Sequence, residues 1–176
     1  RILTRHGNRV GALFYRTQVE AVLPARSGRR HVLAMMDAAQ RPARASAGAS
    51  GRSDPRGTTR LSDLLATAAN VIKRRSTVFV VSDFISDPGW ERPLGLLAQR
   101  HDVVAVRVVD PLELDLPDLG LITLQDAESG EHLLVDTHDR GFRQRFARVA
   151  AQREAQLRAS LARAGVDALE LPTDGE

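Results

Sequence analysis

The chain has 176 residues, 43% of them apolar and 27% charged, a composition typical of one globular domain with a real core. It contains no cysteine, which excludes a disulfide framework, a zinc–thiolate site and a cysteine nucleophile. The net charge of +3 is uneven, since residues 1–60 carry twelve arginines and three acidic side chains while residues 61–176 carry a net −6. Apolar runs too short to span a bilayer and an N-terminus without a signal-peptide pattern predict no membrane segment and a cytoplasmic location.

The first third of the chain predicts two strands, a helix and a loop. Arg9–Tyr15 is an apolar run that predicts a strand, and the alternation over Thr17–Leu23 predicts a half-exposed strand. Because their connection is tight, we expect these two strands to pair antiparallel. Gly28–Gln40 has helical apolar spacing, and residues 41–57, rich in Arg, Ala, Ser, Gly and Pro, predict a mobile loop.

After the loop, helical and strand patterns alternate. A helix is predicted over Thr58–Arg75, followed by the continuous apolar run Val78–Val81, which is typical of a strand buried on both faces of a parallel sheet. A shorter helix over Pro88–His101 and a second buried strand over Val103–Val109 follow. The alternation predicts an α/β fold with an open, mostly parallel sheet and helices on both faces.

The last third predicts a hairpin, a long helix and a final strand. Leu121–Leu124 and His132–Val135 flank a Ser-Gly turn, and Val166–Leu171 alternates as a strand does. Gly141–Ala164 is the longest predicted helix, and Gly165 is its predicted stop. Its predicted buried stripe consists of Phe142, Phe146, Val149, Leu157 and Leu161.

Several enzyme signatures are absent from the chain. It has no phosphate-binding G-x-x-x-x-G-K-[ST] loop, no dinucleotide-binding G-x-G-x-x-G and no G-x-S-x-G nucleophile elbow. The histidines form no H-x-x-x-H pair; they are His6, His31, His101, His132 and His138. We therefore expect a binding protein without catalytic residues and without a small-molecule substrate.

Acidic and hydroxyl side chains fall where an open α/β sheet binds its ligands. Asp83 and Asp110 follow the two buried strands, and Thr58 and Thr59 begin the helix after the loop. Ligands of such sheets bind at the carboxyl ends of the strands, and Mg²⁺ prefers hard oxygen ligands of this kind. We call the predicted partner-binding edge formed by Thr58, Ser82 and Asp110, together with Asp83, the carboxyl rim.

Each of these residues also has a purely structural interpretation. That interpretation is the favoured one when each residue is considered alone. Thr58 or Thr59 can cap the helix that they precede. Asp83 and Asp87 can shape a turn or cap the next helix, and Asp110, before a proline, can form a turn.

Taken together, several segments of the chain resemble the domain of unknown function 58 family. These bacterial proteins contain a von Willebrand factor A-like domain and are often encoded beside AAA+ ATPases of the MoxR type. The resemblance covers nearly the whole chain and implies one A-like, Rossmann-like domain over 1–176. The segments that carry it are Gly7–Phe14, Arg29–His31, Val80–Phe84, His101–Pro111, Arg163–Asp167 and Leu169–Leu171.

The resemblance also implies a metal-ion-dependent adhesion site, which A-like domains build from three loops. The family threonine matches Thr59, with Thr58 as the alternative, and the family aspartate matches Asp83. The Asp-x-Ser-x-Ser loop that follows the first strand has no match here, so we expect that strand to precede Arg1. Arg60 replaces a commonly acidic position and would repel a cation. Too few protein ligands remain for a dedicated cage, so we expect no cofactor in this fragment and Mg²⁺ only in the full-length protein.

Two functions of different classes follow. The first is a non-catalytic adaptor whose carboxyl rim engages a MoxR-type AAA+ ATPase, as the resemblance implies. The second is nucleic-acid binding through the basic first third, which is disfavoured because its aromatic residues are scattered. The arginines of that alternative are Arg26, Arg29, Arg30, Arg41, Arg44, Arg52 and Arg56.

Overall fold

A computed structural model describes residues 7–16, 19–41, 60–125 and 132–173. The chain divides into two compact units, Arg1–Arg60 and Leu61–Glu176. The prediction of one domain over 1–176 stays a prediction. Apart from Arg41, the predicted mobile loop 41–57 lies outside the described residues.

The first unit contains a β-hairpin and a helix, as predicted. Strand β1 (Val10–Tyr15) pairs antiparallel with β2 (Val19–Arg26), and α1 (Arg29–Gln40) follows. The second strand runs three residues beyond its predicted end at Leu23, because its pairing with β1 continues to the partners Val10 and Arg26.

Close backbone contact holds this hairpin together. A Cβ atom on Gly11 would lie 2.8 Å from the carbonyl oxygen of Leu23, so glycine is required where β1 approaches β2. The ring of His31, on α1, lies with Nε2 2.8 Å from the carbonyl oxygen of Val10. This histidine therefore has a structural partner on the hairpin.

The second unit contains a three-stranded parallel sheet in the order β3-β4-β7 and a separate antiparallel hairpin, β5-β6. The hairpin confirms the predicted pairing. The helices predicted over 58–75 and 88–101 both end earlier than predicted. The elements in chain order are α2 (Leu61–Val71), β3 (Thr77–Ser82), α3 (Glu91–Ala98), β4 (Asp102–Val109), a 3₁₀ turn (Pro111–Glu113), β5 (Leu121–Gln125), β6 (His132–Asp136), α4 (Arg140–Ala164) and β7 (Asp167–Pro172).

One face of the parallel sheet forms the core of this unit, and we call it the covered face. The register aligns Val78 with Val103 and Val80 with Ala105, so these four side chains share that face. They belong to one apolar cluster with side chains from α2, α3 and α4. The helical members of that cluster include Leu61, Leu65, Leu94, Leu97, Leu157 and Leu161.

The opposite face, which we call the open face, corrects a prediction. The run Val78–Val81 was expected to be buried on both faces, but Phe79 is 51% and Val81 60% exposed. The prediction is wrong because the described helices of this unit pack on the covered face, leaving alternate side chains of β3 without cover. Only β4, the central strand, is buried along most of its length.

Helix α4 largely confirms its predicted span and stop. Gly165 adopts the left-handed conformation at φ 67° and its N–H donates to the last turn of the helix. One residue of the predicted stripe is wrong, since Val149 is 44% exposed while Ala150 is buried. Ala150 lies four residues after Phe146 and thus continues the same helical face, whereas Val149 turns away from it.

Within the described residues, no helix combines the length and apolarity needed to cross a membrane.

Candidate functional site

The carboxyl end of β3 is a tight, hydrogen-bonded turn. The backbone N–H of Phe84 donates to Ser82 Oγ at 3.0 Å, and that of Ile85 donates to Asp83 Oδ1 at 3.0 Å. The Ser82 hydroxyl also lies 3.3 Å from Asp83 Oδ1. These contacts agree with the turn-shaping interpretation of Asp83, and they fix the direction of its carboxylate.

Phe84 holds this turn in an unusual conformation. Its φ is 61°, the one positive value found among the described non-glycine residues, and its ring is buried edge-on against Trp90. A bulky side chain in the left-handed region costs of order 1 kcal/mol or more, so the ring packing must compensate. Strain of this kind concentrates at functional sites, and here it lies directly after Asp83.

The first helical N–H of α2 bonds to the same turn. Leu61 N donates to Ser86 Oγ at 3.0 Å, so the N-terminus of α2 lies at the loop that follows β3. Sequence reasoning expected a cap from Thr58 or Thr59, but both lie outside the described residues. A hydroxyl supplied from 25 residues away has no signature in the local sequence, which explains why Ser86 was missed.

Asp110, at the end of β4, shapes the second part of the carboxyl rim. Its Oδ1 accepts a hydrogen bond from Leu112 N at 2.9 Å and so caps the short 3₁₀ turn. This contact agrees with the turn-forming interpretation of Asp110. Like Asp83, this carboxylate keeps its second oxygen without a hydrogen-bond donor among the described residues.

Glu113 is a third carboxylate of this region that sequence reasoning missed. Burial raises its pKa, and the negative charges of Asp110 and then Asp83 raise it further, opposed by Arg107 and Arg153. Because the repulsion between two charges weakens with distance, Asp110 and Asp83 lie near enough to Glu113 to affect its protonation. The signal available in the sequence was an acid one turn after Asp110.

The predicted metal ligands are therefore only partly described. Asp83 lies at the expected strand end, and Thr59 lies outside the described residues. In the described ranges, no three His, Cys, Asp or Glu side chains form a group that could hold a metal ion.

Beneath the carboxyl rim, the covered face carries a buried ion pair. Arg107 is 8% exposed and pairs with Glu154 of α4, with 2.5 Å between Nη1 and Oε2. Glu170 of β7 also bonds to Arg158 at 3.2 Å. The network adds charge pairing to the apolar contacts that α4 makes with β4, and it extends this pairing to β7.

The arginines of the nucleic-acid alternative are only partly described. Arg26, Arg29 and Arg30 are exposed, and Arg41 pairs with Asp37 at 2.6 Å. The other three, Arg44, Arg52 and Arg56, lie outside the described residues. An exposed arginine group of this size is compatible with a solvated surface, and this alternative stays a prediction.

The fold and its carboxyl edge define a mixed α/β protein with a parallel sheet and clustered carboxylates at the strand ends. The family described as "Protein of unknown function DUF58" matches residues 2–156, and the chain belongs to that family.

Relatives of known sequence support this membership. The chain is similar to the uncharacterized protein Rv1480 of Mycobacterium tuberculosis, with 36% identity over 96% of this chain and 50% of that protein. It is also similar to the uncharacterized protein MAV169 of Mycobacterium avium, with 35% identity over 86% of this chain and 85% of that protein. The chain spans about half the length of the first of these relatives.

Among solved structures, the conserved hypothetical protein BatB from Bacteroides thetaiotaomicron superposes with a TM-score of 0.49 at 14% identity. The match covers 96% of this chain and 72% of that one.

Proposed function

We propose that this chain is a von Willebrand factor A-like interaction module without catalytic activity of its own. Its carboxyl rim would engage a MoxR-type AAA+ ATPase in the cytoplasm, as the family resemblance suggests. The rim offers what a protein-binding edge needs, because backbone hydrogen bonds fix Asp83 and Asp110, and the second oxygen of each carboxylate accepts no hydrogen bond from the part of the chain that the structure describes. A carboxylate held in place loses little entropy when it binds an arginine, a lysine or a cation.

The observation that carries the proposal is the hydrogen bond from Leu61 N to Ser86 Oγ. It joins the N-terminus of α2 to the turn that contains Asp83. The hydroxyl of Ser86 and the carboxylate of Asp83 therefore belong to one loop at the carboxyl end of β3, which supports a rim built from that loop.

In this arrangement the residues of the rim have different roles. Ser82 and Ser86 position the turn and the helix, while Asp83 and Asp110 supply the charge that recognises the partner. In the full-length protein, Mg²⁺ held by Asp83, a threonine and further oxygen ligands would present a positive charge to an acidic side chain of the ATPase. Without those ligands, the carboxylates would bind basic side chains directly.

The proposal is tested by co-purifying the full-length protein with a MoxR-type ATPase, once with Mg²⁺ and once with a chelator. We expect association in Mg²⁺, and its loss in chelator would assign the contact to the metal rather than to the carboxylates. Absence of association under both conditions would reject the ATPase as partner.

A further inference from the structure

A shallow groove lies between α3 and α4 in the second unit. It has two adjoining parts with about 320 Å³ and 460 Å³ of space, and both parts are lined by Glu91, Ser160 and Arg163. None of the residues that line it belongs to the carboxyl rim. The groove is therefore a second surface feature of this unit, which the proposed function does not use.

Small residues give the groove its room. Gly95 of α3 and Ala164 of α4 approach closely, since a Cβ atom on Gly95 would lie 3.9 Å from Ala164 Cα. Ala155 and Ala159 line the groove farther back along α4. Between Ala155 and Ala164 the helix rises about 14 Å, the length of about four residues of extended chain. A short extended segment of polypeptide matches this length.

The charged groups of the groove favour an anionic occupant. Arg92 and Arg163 are exposed, and neither pairs with an acidic side chain of the described residues. Arg163 Nη2 donates to Ser160 Oγ at 2.8 Å, which fixes the position of that guanidinium. The acidic residue of the lining is Glu91, whose Oε2 accepts a hydrogen bond from Gly89 N at 3.0 Å. Two guanidinium groups thus face one carboxylate that already has a donor.

Helix α4 as a whole adds to this positive charge. It contains seven arginines and one glutamate, Glu154, which pairs with the buried Arg107. Arginine binds carboxylates and phosphates with two parallel hydrogen bonds, so either anion is compatible with charge alone.

The other lining residues distinguish between these two anions. No aromatic side chain lines either part of the groove, so the bases of a nucleic-acid strand would have no ring to stack on. The alanines and Gly95 instead offer small apolar surface against which a peptide backbone can pack. The lining therefore fits an acidic peptide better than a nucleic acid.

We propose that the groove between α3 and α4 binds an acidic segment of a partner protein in extended conformation. Arg92 and Arg163 bind its carboxylates from the two helices, and its backbone lies along the small residues between them. This goes beyond the proposed function, because it adds a contact that the carboxyl rim does not make.

The probe for the groove is a fluorescein-labelled peptide of about eight residues in which glutamate and alanine alternate, a length that exceeds the groove at both ends. Binding to the chain is followed by fluorescence anisotropy. We expect the double variant Arg92→Gln/Arg163→Gln to lose roughly tenfold in affinity. The same peptide with glutamine in place of glutamate should bind the original chain as weakly.

Two further variants separate the groove from general charge attraction. Arg140→Gln/Arg148→Gln removes the same charge from exposed positions of α4 outside the groove and should bind the peptide as the original chain does. Ala159→Leu fills part of the groove without changing its charge and should weaken binding. Circular dichroism checks that each variant is folded, and Arg92→Gln alone replaces the first double variant if the change at Arg163 disturbs α4.

An equal loss of affinity in the two arginine double variants would overturn the proposal, as would unchanged binding by Ala159→Leu or no binding by the original chain. An eight-nucleotide oligothymidylate provides the last comparison. If it binds more tightly than the peptide and Arg92→Gln/Arg163→Gln abolishes its binding, the groove is a nucleic-acid site and the proposal is overturned. Weaker binding of the oligonucleotide supports an acidic peptide.

Discussion

The two faces of the parallel sheet are built from the same three strands but differ in burial. On the covered face, Val80 and Ala105 are 6% and 0% exposed, whereas on the open face Phe79 and Val81 are more than half exposed. All four are apolar, so composition does not distinguish the two faces. The difference lies in which elements pack on each face. An apolar strand sequence therefore indicates that a face can be buried, but it does not identify the element that buries it.

The largest expected effect comes from creating a cavity on the covered face. Leu94 is fully buried in the cluster that α2, α3 and α4 form on the sheet. We expect Leu94→Ala to lower the free energy of unfolding by about 4 kcal/mol, because the core cannot collapse around the deleted methyl groups. Urea denaturation measures the loss.

The matched change on the open face is Leu169→Ala, which should cost about 1 kcal/mol or less because the side chain is already more than half in water. Equal losses at the two positions would show that the faces are not as different as described.

The buried ion pair should give the next largest effect. Glu154→Ala leaves the charge of Arg107 buried and weakly paired, and we expect it to cost about 3 kcal/mol of unfolding free energy. The double variant Arg107→Met/Glu154→Met should recover most of that loss, because it removes both charges. If the double variant is no more stable than Glu154→Ala, the two native side chains contribute packing that methionine does not replace.

A smaller effect is expected where α2 meets the turn after β3. Ser86→Ala removes the acceptor for Leu61 N and should cost about 1 kcal/mol, as the loss of a helix cap does. The control is Ser76→Ala, whose exposed hydroxyl bonds only to the carbonyl oxygen of Arg74. Thermal unfolding measures both losses of stability, and an equal loss in Ser86→Ala and Ser76→Ala would contradict a capping role for Ser86.

The smallest effect concerns the charges of the carboxyl rim. Asp110→Asn removes a negative charge beside Glu113 and should lower the pKa of that carboxyl, which ¹³C NMR titration detects. Because the pKa of Glu113 is higher in the folded state than in the unfolded state, unfolding releases a proton at pH values between these two pKa values. The free energy of unfolding therefore falls as the pH rises through this range. Glu113→Gln should therefore flatten the fall of stability there. An unchanged Glu113 titration in Asp110→Asn would place the two carboxyls apart.

The sequence predicted the elements of the fold well, because periodicity and turn residues are local signals. The antiparallel strands β1 and β2, the hairpin β5-β6 and the stop of α4 at Gly165 all follow from them. The exposure of Phe79 and Val81 could not be predicted, since burial depends on which elements pack above the strand. The same is true of Val149, which the broad apolar pattern of α4 placed on the wrong side.

The candidate site was predictable in part. Asp83 and Asp110 end neighbouring parallel strands, which is sufficient to place both at one edge. Their hydrogen bonds to Ile85 N and Leu112 N depend on backbone geometry that forms only in the folded chain. Ser86 could not be predicted because its contact with α2 joins segments distant in sequence.

The central claim is that the carboxyl rim recognises a protein partner, and an affinity measurement with two variants tests it most directly. The full-length protein, Asp83→Asn and Asp167→Asn are titrated into a MoxR-type ATPase by isothermal calorimetry. Asparagine preserves the acceptor for Ile85 N, and Asp167 begins β7 at the other edge of the same sheet. The account predicts roughly tenfold weaker binding for Asp83→Asn and no change for Asp167→Asn. Unchanged binding in both variants, or an equal loss in both, would contradict it.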